Sequence, residues 1–127
     1  MSEFVGVDGI LGSDDRSYVD VEVPEWGGKV RLMELTGDDA DAFSMFSRNN
    51  AGNLSGVRAR LVGLCLVNES GKRLFSDDAI ERKLGKKSGK VLGRLFQEAA
   101  ELNGMTPEAR EEMKENFSEV TEDSTTD

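Results

Sequence analysis

The stretch LSGVRARLVGLCLVNESGKRLF, residues 54–75, decides between two folds. Leu54, Val57, Leu61, Leu64 and Cys65 recur at three- and four-residue spacing, which puts them on one face of a helix from about 54 to 67. The run LVGLCLV is apolar on every side, however, so with NESG and RLF after it the same segment also reads as a buried strand, a turn and a returning strand. The length of the pattern back to Leu54 favours the helix, with the strand pair as the alternative.

Upstream, Val19, Val21 and Val23 alternate with Tyr18, Asp20 and Glu22, the period-2 pattern of a half-buried strand. Pro24, Gly27 and Gly28 break it, and KVRLMEL resumes with Val30 and Leu32 on one face. The two runs predict a β-hairpin over 18–35 around PEWGG, where Trp26 either folds back as local core or meets a partner. Residues 1–17, rich in Gly, Ser and Asp, read as an irregular arm. Thr36 with Asp39 resembles a capping box, with Leu35 and Ala40 at staple spacing, so a helix is expected over about 38–48.

Downstream, the basic segment GKRLFSDDAIERKLGKKSGK, residues 71–90, raises the question of a phosphate loop. A Walker-type loop needs four residues between its first Gly and the Gly-Lys pair, then Ser or Thr; here three residues separate Gly85 and Gly89, and Val91 follows Lys90. Helix punctuation accounts for the residues better. Ser76 is an N-cap, Asp77 and Asp78 suit the positive end of a helix dipole, and Phe75 and Ile80 have staple spacing. Gly85 is expected to stop this helix, about 77–84, in the left-handed conformation. Ser88 then caps a helix over about 89–103, with Val91, Leu92, Leu95, Phe96, Ala99 and Leu102 as its stripe and Asn103-Gly104 as its end. Thr106 and Pro107 open a last helix over 107–117, whose narrow apolar stripe includes Met113 and Phe117; 118–127 reads as a disordered acidic tail. The expected fold is α+β: an N-terminal β-hairpin followed by a mainly helical domain of four to five helices, in one domain over 18–117.

Composition narrows the function. The chain has 127 residues, no His, one Cys and a net charge of -9. Without His and with one Cys it lacks a catalytic triad and a zinc constellation, and without an Asp-x-Asp-x-Asp-Gly pattern it lacks an EF-hand loop, so neither an enzyme nor a cofactor or metal site is expected. The paired acids at 14–15, 38–39 and 77–78 fall in loops or helix starts. A net negative chain argues against nucleic acid, and no apolar run is long enough to span a membrane. Nor does the N-terminus carry a secretory signal, so a cytoplasmic location is expected. Cys65 reads as a buried, reduced side chain.

Charge is segregated: residues 1–47 hold 11 acids and 3 bases, 48–94 hold 4 and 11, and 95–127 hold 10 and 2. These charges either offset one another within one molecule or allow head-to-tail, salt-sensitive association between copies.

The order of elements resembles the tail assembly chaperones of long-tailed (siphovirus-type) bacteriophages and prophages. The resemblance rests on VEVPEWGGKVRL at 21–32, on LVGLCLVNESGKRLFSDDAIERKLGKKSGKVLGRLFQEAAELNGMT at 61–106, and on EEMKENF at 111–117. It implies a non-enzymatic chaperone in the host bacterial cytoplasm that binds the tape measure protein, keeps it soluble, yields to tail tube protein and is absent from the virion. Members are commonly also made in a longer form by translational frameshift. No family motif fixes the client-binding residues; exposure and pattern select Trp26, Phe75, Met113 and Phe117. Two other readings stand beside it: a head-tail or tail completion adaptor that stays in the virion, and an acidic inhibitor of a host enzyme.

Overall fold

The alternating valines fold as expected. In the computed structural model, which describes residues 3–105, Tyr18–Val23 form β1 and Gly28–Met33 form β2, antiparallel and in a register pairing Tyr18 with Met33 and Val23 with Gly28. Val23 and Leu32 are fully buried and Val19, Val21 and Val30 pack on the core, while Tyr18, Asp20 and Glu22 face outward. Pro24–Trp26 make one turn of 3-10 helix, and Gly27 closes the turn at φ 83°, a left-handed conformation that Gly adopts without a Cβ penalty. At the open end, the Glu34 carboxylate accepts hydrogen bonds from the Ser17 backbone N–H and from its hydroxyl, the latter at 2.7 Å.

Residues 54–75 satisfy both readings in turn. Leu54–Cys65 form helix α3, and Leu66–Val67 form a two-residue strand, β3, that pairs antiparallel with β2 through Leu32–Leu66 and Arg31–Val67. The turn NESG follows: Asn68 Oδ1 accepts from Ser70 N–H at 2.8 Å and Lys72 N–H at 3.0 Å, and Gly71 sits at φ 83°. Val67 then bridges back to Arg73. The helix thus ends two residues earlier than expected, because the free edge of β2 offers Leu66 and Val67 backbone partners. Val57, Ala59, Leu61, Val62, Gly63, Leu64 and Cys65 are all buried, since α3 has neighbours on several sides and runs through the centre of the core. A helix buried all round carries no polar face to mark its period.

The other helices surround α3. Gly37–Asn49 form α2, capped by Thr36, whose Oγ accepts from Asp39 N–H at 3.1 Å. Phe43, Phe46 and Ser47 turn inward, whereas Ala40 and Ala42 are exposed, so the expected Leu35–Ala40 staple does not bury Ala40. Asp77–Arg82 form α4 under a Ser76 cap, with Ile80 buried. Gly89–Leu102 form α5 under a Ser88 cap, burying Val91, Leu92, Leu95, Ala99 and Ala100. Gly85 departs from expectation: it has no positive φ, and α4 ends in a turn of 3-10 helix over Leu84–Lys86. The buried Leu84 is drawn inward there, and a Cβ on Gly85 would lie 3.5 Å from the Ile80 carbonyl oxygen.

The Asn103-Gly104 end is a Schellman motif: Gly104, at φ 72°, donates to Glu101 O at 3.1 Å and Met105 to Ala100 O at 2.9 Å. Asn103 also ties three elements together. Its Oδ1 accepts from Leu35 N–H at 2.9 Å, and its Nδ2 donates to Ala99 O at 2.8 Å and to Cys65 Sγ at 3.5 Å. Asn103→Ala leaves the part-buried Leu35 N–H without its acceptor and is expected to cost about 1–3 kcal/mol in urea unfolding.

Ahead of the hairpin, within the arm read as irregular, Val7–Gly12 form a six-residue helix, α1, with no buried residue. The expected helix over 107–117 and tail over 118–127 lie outside the described residues.

Candidate interaction surface

The paired acids do structural work at helix starts. Asp38 and Asp39 lie in the first turn of α2, Asp77 and Asp78 in that of α4. Asp77 accepts from Arg73 at 2.8 Å, which is the main reason its carboxyl lies below the usual range, and Arg60 approaches it at 3.3 Å. Arg60 also stacks on Phe46 at 4.4 Å, fastening α2 to α3. Among the described residues no group of His, Cys, Asp and Glu could hold a metal ion, and no helix is long and apolar enough to cross a membrane.

Cys65 is fully buried, and burial pushes its thiol up to about 11 despite the opposing Asn103 hydrogen bond. Since only the thiolate reacts, alkylation at pH 8 should be at least about 100-fold slower in the folded chain than in urea, read by mass spectrometry.

The basic corner gathers around Trp26. Lys86, Lys87 and Lys90 line an open depression of about 490 Å³ together with Trp26, Val91 and Glu25. Glu25 is already engaged: Arg94 of α5 donates to both its oxygens, at 3.0 and 2.9 Å. That guanidinium, chiefly through its hydrogen bonds, holds the Glu25 carboxyl at about 2. The ion pair is thus favoured above the ordinary carboxylate value of 4.5 and is lost only as pH falls through about 2. The three lysines have no salt-bridge partner among the described residues, so the rim of the depression is positive and its floor apolar.

Of the sequence-selected residues, Trp26 is half-buried against the core and lines this depression. Phe75 is also half-buried against the core but does not line it, so the two are not brought into one site. Met113 and Phe117 lie outside the described residues. Sequence reading missed a second surface, the arm. Phe4, Val5, Val7, Ile10 and Leu11 are all exposed, Phe4 completely. Their three- and four-residue spacing was the available signal, diluted by Gly6, Gly9 and Gly12.

No protein-family model matches this sequence, and no curated protein matches it. Among solved structures, the bacteriophage HK97 tail assembly chaperone is similar, with a TM-score of 0.57 and 27% sequence identity, over 71% of this chain and 84% of that one. The fold agrees with the expected hairpin and helices, and the identity joins sequence to fold. In both respects, then, this chain is similar to a phage tail assembly chaperone, and the similarity supports a chaperone role in tail assembly.

Proposed function

We propose that the protein is a phage tail assembly chaperone that binds the tape measure protein, keeps that long helical chain soluble in the host cytoplasm, and helps recruit tail tube protein. The observation that carries this reading is the likeness to the HK97 tail assembly chaperone in fold and sequence together. Its action is binding, not catalysis. The exposed apolar arm and the positive depression around Trp26 supply surfaces for protein partners, and the net charge of -9 favours solubility of a coated client.

The reading includes a longer, frameshifted form and absence from the finished particle. Expression from an N-terminally tagged gene with its native downstream DNA, followed by weighing every tagged product, should give a minor product that continues in another reading frame. A mass-spectrometric census of purified virions should lack this chain. Stoichiometric presence in the virion would replace the chaperone by a structural adaptor.

A further inference from the structure

The depression has an apolar floor of Trp26 and Val91 and a rim of Lys86, Lys87 and Lys90, all three exposed and without a salt-bridge partner among the described residues. Such a site fits a segment that is apolar and acidic at once. The chain carries one directly after α5. Residues 106–127 hold eight acids and two bases, and the bases, Arg110 and Lys114, come early, so the stretch from Glu115 onward has five acids and no base. Met113, Phe117 and Val120 recur within it at three- and four-residue spacing, which gives the acidic sequence an apolar edge.

The place where the chain leaves α5 sets what this segment can reach. α5 ends in the Schellman turn at Gly104, and Met105 packs against the core, so the chain stays against the domain as it leaves the helix. Gly104 and Val91 are thirteen positions apart, about 20 Å along α5 at the rise of a helix. The helix expected over 107–117 covers about 16 Å of this, and the residues after it supply the remainder. Laid antiparallel to α5, positions equally far from Gly104 come level: Arg110 with Glu98, and Phe117 with Val91. Glu119, Glu122 and Asp123 then arrive at the lysines, so opposite charges meet at both ends of the path. A tether this short holds the segment at an effective concentration on the order of millimolar, which favours the depression of the same copy. We propose that residues 107–123 fold back along α5 of their own copy and cover the depression in the free chain, with Phe117 on the Trp26–Val91 floor and the three acids against the lysine rim. A partner reaches the depression only by displacing this segment. The inference does not depend on the identity of the client.

The test uses the full chain in dilute solution, as an equimolar mixture of nitrogen-14 and nitrogen-15 copies treated with a carbodiimide, which joins a lysine to a carboxylate that touches it. Mass spectrometry is expected to find Lys86, Lys87 and Lys90 linked to acids between Glu115 and Asp123, with both peptides of each link carrying the same isotope. M113S/F117S removes the apolar anchors, keeps every lysine and acid, and leaves the described domain untouched; it should lower these links at least about fivefold. In the same variant acrylamide should quench Trp26, the chain's one tryptophan, more efficiently. Links of mixed isotope in a statistical share overturn the proposal by placing the segment on a second copy. Equal linkage to Lys72, an exposed lysine in the turn after β3, overturns it by showing unspecific capture. Link yields and quenching that M113S/F117S leaves unchanged overturn it as well.

Discussion

Leu61→Ala is expected to destabilise the folded chain by about 2–5 kcal/mol, measured as a shift in the urea midpoint with little change in slope. Leu61 is fully buried on α3, and α3 packs against α2, α4, α5 and β2. Because its neighbours belong to separate elements, each held by its own caps and strand pairs, they cannot all close on the space left by three carbons. The loss therefore includes a cavity term in addition to the lost burial. Against a typical total of about 5–15 kcal/mol for a domain, this single change removes a large share. Leu74 provides the control. Its side chain is 52% exposed, and Leu74→Ala should stay within about 0.5 kcal/mol of wild type.

Gly63→Val should cost about 3 kcal/mol for the opposite reason, overpacking. Gly63 lies within α3 where α4 crosses, and a Cβ built there would stand 2.6 Å from Ile80 Cδ1 and 3.1 Å from its Cγ2. Ile80 is itself buried, so it must shift within the core to make room. In an exposed helix, replacing Gly by Ala stabilises by about 1 kcal/mol. Here Gly63→Ala should fail to show that gain, and its deficit should shrink when Ile80 is shortened to Ala, which removes Cγ1, Cγ2 and Cδ1, all three of the crowding carbons. A double-mutant cycle measures this relief as coupling between the two sites. Additive effects would mean that the helices separate freely at this crossing.

The hairpin and most caps were legible because the signals are local. Alternating valines fix which side of β1 is buried, and the hydroxyls of Thr36, Ser76 and Ser88 each accept the N–H three residues on, as the sequence pattern indicates. The end of α3 was not legible. An apolar run buried on all sides fits helix or strand, and the choice at Leu66 is made by the edge of β2, more than thirty residues earlier in the chain. Gly85 looked like a left-handed stop, yet the corner turns by a tighter helix because Leu84 has a place in the core. The depression was hidden for a similar reason. Trp26 and Lys86 are 60 positions apart, and only the docking of the hairpin on α5, marked by the Glu25–Arg94 pair, brings them together.

The proposed role as a chaperone for the tape measure protein is tested by co-expression. The tape measure protein of the same phage would be produced with and without this chain, and its soluble fraction weighed after affinity capture of the chain. The tape measure protein is expected to be insoluble alone and to be recovered in a soluble complex when the chain is present. Equal solubility in both cases, with no tape measure protein retained on the captured chain, would contradict that role.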